Sequence, residues 1–437
     1  MHLYTFPQFW PTLTHVCRRW RQIVLSSPLG LRLRLYCTYG TPVMKTLDCW
    51  PPFPLVVNYG WVPMLTPAPL IATPEDEKNV IAALKHSDRV ASISLTITNS
   101  LLETLSQVVI SGPFSALEEL VLLSRDNGDN VQFALPNSFR WGPRLRFLHS
   151  TRIAIPTLPQ LLSPSTGLVD LLLYDIPDIG YFSPYAFADA LSEMTQLQTL
   201  VLNFLSLSPS RNDFDFPPQS WERVVLPALT CLKYRGTSKY LDRIDAPCLG
   251  DINIAFLNQP TLDALQLGLF IGRIEMQASP PQADILSSWG DISITLTQPD
   301  SLTRLELQIS CGELDLQLSS ISQICDHFSP FLSNVEDLNI DAIGLSSVPD
   351  DMDDEQWLRI IRAFGGVKDF RVSGELATDI LRALRPAGEG HETVLPALRN
   401  LHLQEPISTH GPFWDTVRSF LTQRQLSSRP VQLYFSE

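Results

Sequence analysis

The sequence has few charged residues and no long apolar run. Charged side chains make up 18% of its 437 residues, below the roughly 25% of an average soluble domain. The formal net charge of −14 would repel a phosphate backbone, and basic residues cluster only at Arg18-Arg19-Trp20-Arg21, so nucleic acid is not an expected partner. No uninterrupted apolar run approaches the roughly 18 residues that a membrane span needs. Neither nucleic-acid binding nor membrane insertion is therefore predicted.

The common catalytic and metal-binding motifs are also missing. The chain contains no phosphate-binding glycine loop, dinucleotide-binding glycine motif, nucleophile elbow or zinc-protease helix. The acidic run 350–355 lacks the ligand spacing and the turn glycine of a calcium loop, and we interpret it as a solvated loop before a helix. We expect a protein that is not an enzyme and that has no cofactor and no metal. A catalytic site assembled only in three dimensions stays open as an alternative.

Cysteine usage and the N-terminus indicate an intracellular protein. The seven cysteines include no Cys-x-x-Cys pair, so they indicate neither a zinc site nor a thiol-redox motif, and we expect buried free thiols. No asparagine stands in an N-glycosylation motif, and residues 1–16 do not resemble a signal peptide. We expect a location in the cytoplasm or the nucleus.

What the sequence does contain is a short apolar motif that recurs along most of its length. The motif is Leu-x-x-Leu-x-Leu, clearest at Leu117-x-x-Leu120-x-Leu122. An earlier copy begins at Val90, and later copies begin at Leu145, Leu168, Leu197, Leu229, Leu249, Leu302, Val335, Val367 and Leu398. Alternation of apolar positions over so short a stretch is typical of a strand with one buried row.

Helical periodicity fills most of the gaps between the copies. The predicted helices cover residues 74–86, 101–109, 186–194, 321–331, 356–364, 378–384 and 413–423. The copies are mostly 20 to 33 residues apart, close to the 20 to 29 of leucine-rich repeats. The predicted fold is therefore α/β: a leucine-rich-repeat-like solenoid with parallel strands on the concave face and helices on the convex face.

The repeat register is open between residues 249 and 302. Two further segments, Ile271-x-x-Ile274-x-Met276 and Trp289-x-x-Ile292-x-Ile294, match the motif there. The copies at 289 and 302 are too close for a helix between them, so this part forms either two tight turns or a local hairpin.

Near the N-terminus, residues 12–25 place apolar side chains at steps of three and four and predict a helix. Its apolar stripe consists of Leu13, Val16, Cys17, Trp20 and Ile23, and any amphipathic helix would show the same spacing. The phrase Val16-Cys17-Arg18-Arg19-Trp20-Arg21, however, resembles the last helix of the F-box. About the first 60 residues resemble fungal F-box proteins with irregular leucine-rich repeats. Only about 11 residues precede the helix, so we expect an F-box that is truncated at its N-terminus.

This resemblance implies a function. F-box helices bind a Skp-type adaptor that tethers them to a cullin ubiquitin ligase, so the five stripe residues would contact the adaptor, and Trp20 should be covered by the chain or by a partner. The solenoid would bind an unknown protein substrate, with chemistry supplied by other subunits. Truncation should weaken adaptor binding. The alternative is a free-standing repeat scaffold with a degenerate F-box and no role in ubiquitination.

Three domains are expected on these grounds. Residues 1–30 would be the partial F-box, residues 31–74 a proline-rich but ordered cap on the first repeat, and residues 75–437 the solenoid. Within the cap, residues 31–35 and 55–57 are predicted as strands.

The positions that flank the buried row are predicted to face a partner on the concave side. In the early repeats they are apolar: Val121, Leu123, Phe147, Leu172, Tyr174 and Val201. In the later repeats they are charged or polar, and include Asp251, Asn253, Arg304, Glu306, Asp337, Asn339, Asp369, Arg371, Asn400 and His402. An exposed apolar surface usually marks an interaction site. Alternatively, the cap residues Trp50, Phe53 and Trp61 fold back and cover the early row.

Overall fold

The computed structural model is divided into two compact units, Met1–Ala228 and Leu229–Glu437. We describe each unit by itself. The structure describes residues 16–26, 32–37, 43–49, 52–60, 74–107, 112–124, 133–137, 139–206, 223–257, 264–274, 281–288, 290–298, 303–310, 314–342, 354–373, 377–384, 394–404 and 412–436.

The first unit contains a seven-stranded parallel sheet. Its strands in chain order are β1 (Leu33–Tyr36), β2 (Leu55–Tyr59), β3 (Val90–Ile97), β4 (Glu119–Ser124), β5 (Phe133–Ala134), β6 (Phe147–Thr151), β7 (Ile153–Ala154), β8 (Asp170–Ile176), β9 (Thr199–Phe204) and β10 (Val224–Val225). The sheet order is β1-β2-β3-β4-β6-β8-β9, and every neighbouring pair is parallel. The short strands β5 and β7 form a separate parallel pair.

Described helices lie between most of the strands of this sheet, but not between β4 and β6. They are α1 (Arg18–Leu25), α2 (Val43–Cys49), α3 (Pro74–Leu84), α4 (Asn99–Gln107), α5 (Leu158–Leu162) and α6 (Pro184–Leu191), with a 3-10 helix at Asp178–Gly180. The predicted helices at 74–86, 101–109 and 186–194 correspond to α3, α4 and α6. The N-terminal helix is confirmed over the described residues 18–25.

The recurring motif forms the core, as its alternation predicts. In the copy at Leu117, the side chains of Leu117, Leu120 and Leu122 are all fully buried, and β4 begins two residues after the first leucine. The copy at Leu145 ends in Ser150 rather than an apolar residue. Ser150 is still buried, and its hydroxyl donates a hydrogen bond to the carbonyl oxygen of Ile153 (3.3 Å). That bond satisfies the polar group in the core.

The second unit contains a nine-stranded mixed sheet. Its strands are β11 (Cys231–Gly236), β12 (Ile244–Asp245), β13 (Asp251–Leu257), β14 (Gln282–Ser288), β15 (Asp291–Thr297), β16 (Arg304–Ser310), β17 (Asp337–Ala342), β18 (Asp369–Val372), β19 (Asn400–Gln404) and β20 (Gln432–Ser436). The sheet order is β11-β13-β16-β15-β14-β17-β18-β19-β20. All neighbours are parallel except β15, which runs antiparallel to both β14 and β16.

Five α-helices are described in the second unit. They are α7 (Ala264–Ile271), α8 (Leu314–Leu332), α9 (Asp354–Arg362), α10 (Ala377–Ala383) and α11 (Pro412–Leu426), with a 3-10 helix at Ser238–Arg243. The predicted helices at 321–331 and 413–423 lie inside α8 and α11, and those at 356–364 and 378–384 overlap α9 and α10 but extend one or two residues beyond them. Over its described residues, the protein is a mixed α/β protein whose sheets are mostly parallel.

The middle of the chain adopts the hairpin alternative. Strands β14 and β15 pair antiparallel with Ser288 opposite Asp291, and Gly290 in the turn has a φ of 85°, which favours glycine in short hairpin loops. The proposed copy at 271–276 is wrong: Ile271 is the last residue of α7, and Ile274 is buried in the turn that follows. Both residues are apolar because they pack beside a helix, and this spacing also fits a strand.

The segment predicted as a cap joins the sheet in its described part. The predicted strands at 31–35 and 55–57 are confirmed as β1 and β2, and β2 pairs parallel with both β1 and β3. Phe53 is 1% exposed. The described part of this segment therefore extends the sheet at its edge and does not fold over it. Trp50 and Trp61 lie outside the described residues.

Candidate protein-interaction surfaces

Helix α1, together with Val16 just before it, carries an apolar stripe that the described part of the chain leaves exposed. Val16, Trp20 and Ile23, at steps of four and three, are 63%, 48% and 55% exposed. Cys17 beside them is also exposed, and its sulfur accepts a hydrogen bond from the backbone N–H of Trp20 (3.5 Å). The described residues do not cover Trp20, and its expected cover by a partner stays a prediction. Leu13 lies outside the described residues.

The stripe is flanked by positive charge. Arg18, Arg19 and Arg21 are all exposed on the same helix, in a chain of net charge −14. The surface of α1 is thus apolar along one line and basic beside it. An acidic partner with an apolar groove would complement both features.

The second surface is the side of the sheet that carries the residues between the buried positions, which we call the alternate face. In the first unit, parallel pairing aligns Val121, His149, Leu172 and Val201 directly across β4, β6, β8 and β9. Val201 is only 3% exposed, whereas the other three are half-buried. The prediction that Val201 offers its side chain to a partner is therefore wrong.

Two aromatic side chains complete this surface around His149. The His149 ring lies edge-on to Phe147 at 6.4 Å and to Tyr174 at 5.4 Å between ring centroids. Its Nε2 lies 3.1 Å from the hydroxyl of Thr151. We call the half-buried side chains Val121, Leu123, Phe147, His149, Leu172 and Tyr174 the apolar patch. Burial lowers the pKa of His149 below its usual 6.5, so the ring is uncharged at neutral pH and fits its apolar neighbours.

His149 was not among the predicted contact residues. It occupies the flanking position between Leu148 and Ser150, in a copy whose last apolar residue is replaced by serine. The step of two residues along the strand that gives the other contact positions also leads from Phe147 to His149. The cap alternative is not supported by the described residues, because β2 lies beside β3 in the sheet and Phe147 and Leu172 keep part of their surface exposed.

The alternate face of the second unit is polar. Arg304 donates to Glu306 (2.8 Å), and Arg371 donates to Asp337 on the neighbouring strand (3.0 Å). Side-chain amides bridge other strand pairs. These are Asn253 to Glu306 (2.9 Å), Asn339 to Asp284 (3.1 Å) and Asn400 to Asp369 (2.6 Å). The polar character predicted for this face is confirmed.

The sheet brings together only some of the predicted charged residues. Asp337 and Arg371 are in contact, but Arg304 stands three strands away from Asp337, because β15 and β14 lie between their strands. At about 4.8 Å per strand, this separation is roughly 14 Å. The hairpin thus divides the charged face into two parts.

Carboxylates crowd one of these parts. Burial is the first cause that raises the pKa of Asp337; Asp369 and Asp284 raise it further, and Arg371 and His402 oppose the shift. A cation approaching this row would relieve repulsion between the carboxylates. The row is therefore suited to basic rather than acidic side chains of a partner.

The cysteines depart in part from the expected burial. Cys37 and Cys325 are buried, and burial raises the pKa of the Cys37 thiol to about 12. Cys17 and Cys248, by contrast, are exposed, so the prediction of buried thiols is wrong for these two.

The described residues contain neither a metal-binding cluster nor a membrane-spanning helix. No group of three or more His, Cys, Asp or Glu side chains is placed to hold a metal ion. No described helix combines the length and the apolar character that crossing a membrane requires.

Comparison with known proteins gives a distant structural likeness and no closer match of sequence. No protein-family model matches the chain, and no curated protein matches it. Among solved structures, the chain is similar to a chain in the crystal structure of a TLR13–ssRNA13 complex, with 13% sequence identity and a TM-score of 0.33. The match covers 85% of this chain and 42% of that one, so the present chain spans less than half the length of the solved chain.

Proposed function

We propose that this chain is a protein-interaction module, built as a leucine-rich-repeat-like solenoid, that serves as the substrate-recognition subunit of an SCF-type (Skp-cullin-F-box) E3 ubiquitin ligase. The observation that carries the proposal is the exposed stripe of Val16, Trp20 and Ile23 on α1. Large apolar side chains in one line on a helix are costly to expose to water, and they mark interaction sites when they are contiguous.

The phrase around Trp20 supports the identity of the partner. It resembles the last F-box helix, and a Skp-type adaptor would cover the stripe that the described chain leaves open. Arg18, Arg19 and Arg21 would then face acidic groups at the rim of that contact, where charge sets the rate of association and the specificity more than the affinity.

The apolar patch is the proposed substrate site. Aromatic side chains dominate binding energy at protein interfaces, and the patch places the His149 ring in contact with Phe147 on one side and Tyr174 on the other. A substrate segment with apolar side chains would dock there. In this proposal the chain is not itself an enzyme, and other subunits carry out ubiquitin transfer.

Capture of a purified Skp-type adaptor tests the proposal. We expect the 437-residue chain to bind it weakly or undetectably, because the resemblance includes only the last helix of the F-box. A fusion that adds the front half of an F-box before residue 12 should bind firmly. In that fusion, Trp20→Ala should reduce capture by at least about tenfold, as loss of a buried interface tryptophan does.

A matched control is Met44→Ala in the same fusion. Met44 is 57% exposed on α2 but lies outside the stripe, so capture should be unchanged. If the unmodified chain binds as firmly as the fusion, the expectation of weak docking is wrong. If the fusion does not bind, or binds equally well without Trp20, the ligase proposal fails.

The second candidate function is a free-standing repeat scaffold with a degenerate F-box. The apolar patch favours binding of a partner in either case, because it does not depend on α1. Failure of the fusion to bind, together with a partner that requires Phe147 and Leu172, would support this alternative.

A further inference from the structure

Strand β20 has one edge without a partner strand among the described residues. It pairs with β19 on its other side, from Asn400 opposite Gln432 to Gln404 opposite Ser436, and it is the last strand of its sheet. The backbone N–H and C=O groups of an open edge can pair with a further strand.

The apolar row of this edge is also incompletely covered. Leu401 and Leu403 on β19 are fully buried, but their opposites on β20 are not: Leu433 is half-buried and Phe435 is 44% exposed. β19 has a strand on both sides, whereas β20 has a described neighbour on one side alone. Leu426, near the end of α11, is 81% exposed.

The edge lacks the features that usually prevent pairing between edges. Natural edge strands are commonly protected by charge, proline or a bulge. The edge strand β1, for comparison, carries the charged residue Arg34. Strand β20, Gln-Leu-Tyr-Phe-Ser, contains no charged residue, no proline and no glycine.

The edge is held in place before any partner arrives. The Tyr434 ring stacks on His402 at 4.8 Å with an interplanar angle of 14°, and its hydroxyl donates to the side-chain oxygen of Gln432 (2.6 Å). Trp414 of α11 packs against Phe435 at 5.4 Å. A fixed edge loses little conformational entropy on pairing.

We propose that β20 is a self-association edge, at which two copies of this chain pair antiparallel about a twofold axis through Tyr434. The strand is self-complementary in this register. Leu433 lies opposite Phe435 of the partner subunit, Tyr434 lies opposite Tyr434 of the partner subunit, and Gln432 lies opposite Ser436 of the partner subunit. Because the twofold axis is perpendicular to the sheet, the apolar rows of the two copies lie on the same side of the combined sheet. Leu433 and Phe435 of one copy then pack against the same two residues of the other copy.

The absence of charge on the strand allows identical copies to meet without local repulsion. Two five-residue strands with their flanking side chains bury an area at the low end of protein interfaces, below about 1,200 Å². The dimer is therefore weak and depends on concentration. It is independent of the ligase proposal, since it uses neither α1 nor the apolar patch.

Sedimentation velocity of the full chain, from low micromolar to several hundred micromolar, tests the proposal. The wild-type chain should pass from monomer to dimer over this range. Tyr434→Lys and Tyr434→Glu should each remain monomeric, with dimerisation weakened at least about tenfold, because each variant sets two like charges opposite each other.

An equimolar mixture of the two variants decides the register. Residue 434 faces its own copy only in the proposed pairing, so mixing the Lys and Glu variants should restore the dimer. Circular dichroism of each variant checks that it is folded. Val225→Lys is the matched control: Val225 is 53% exposed on β10, and this variant should dimerise like the wild type.

Three results would overturn the proposal. A wild-type chain that stays monomeric throughout the concentration range would overturn the proposal. The edge would then either stay free or bind a segment of another protein. Equal loss of the dimer in Val225→Lys would show that general charge, not the edge, controls association. Failure of the mixed variants to pair would rule out the twofold register.

Discussion

Gly366 provides a test of how closely two turns of the second unit must approach each other. The residue lies between α9 and β18. A Cβ atom at this position would lie 2.2 Å from the carbonyl oxygen of Ser333 and 3.2 Å from that of Val335. Both oxygens are backbone atoms of the turn between α8 and β17, so no side-chain rotation can relieve the contact.

The turn that Gly366 faces is itself held by hydrogen bonds. The N–H of Ser333 donates to Ser329 (2.9 Å), and that of Val335 donates to Leu332 (3.1 Å). On the glycine side, the N–H of Lys368 donates to the carbonyl oxygen of Glu336 (2.8 Å), where pairing of β17 with β18 begins. A displacement of either turn would strain these bonds.

We therefore expect Gly366→Ala to lower the free energy of unfolding by about 1 to 3 kcal/mol, the usual cost of overpacking. For a unit the size of residues 229–437, each kcal/mol corresponds to a shift of about 2 to 4 °C in Tm. The expected loss is thus about 2 to 12 °C in thermal unfolding followed by circular dichroism.

The neighbouring Gly365 is the matched control. A Cβ atom there would meet nothing within 4 Å, so Gly365→Ala should change stability by less than about 1 kcal/mol and in the stabilising direction, since alanine restricts the unfolded chain. If the two variants melt at the same temperature, the close approach of these turns is not as described.

Two further predictions concern surfaces. Phe147→Asp combined with Leu172→Asp should abolish capture of the substrate. Because both side chains are half-buried on the alternate face, the double variant should also lose some stability, so circular dichroism must show that it is folded. Normal capture by the folded double variant would contradict the role of the apolar patch. In the native protein, a thiol reagent should label Cys17 and Cys248 quickly and Cys37 only after unfolding, as mass spectrometry of the labelled peptides would show. Rapid labelling of Cys37 would place its thiol at the surface.

The buried row of each sheet was predictable because it depends on a local rule. Alternate residues of a strand face opposite sides, so Leu117-x-x-Leu120-x-Leu122 identifies a strand and its buried side together. Most of the helices between the copies were predictable in the same way, from their own period, but α5 and α7 were not predicted.

The first, second and last strands of the chain escaped the motif because its first leucine is missing. At the equivalent place, β1 is preceded by Gly30, β2 by Pro52 and β20 by Pro430. β1 and β2 could still be predicted from their alternating apolar residues, whereas β20 was not predicted. Each of these strands keeps the other two apolar residues of the motif, three and five positions after the missing leucine, and both lie in the sheet.

The direction of β15 could not be read from its residues. Its alternation is the same in a parallel and in an antiparallel pair, and only the 13-residue distance between the copies at 289 and 302 indicated that a helix could not fit. The consequence for the surface is large, since the hairpin inserts two strands between Arg304 and Asp337. Residues that look adjacent in the order of repeats are thereby separated.

The accessibility of the flanking positions was the least predictable property, because it is set by neighbours on other strands. Leu172 and Val201 are opposite each other and have the same place in the motif, yet the first is half-buried and the second is buried. The exposure of the stripe on α1 could not be predicted from its sequence either. Its spacing predicts an amphipathic helix but not whether the apolar side packs inward, and Trp20 at 48% exposure lies outward. An apolar stripe that the described fold leaves uncovered argues for a partner more strongly than any periodicity does, because burial within the chain was the simpler outcome.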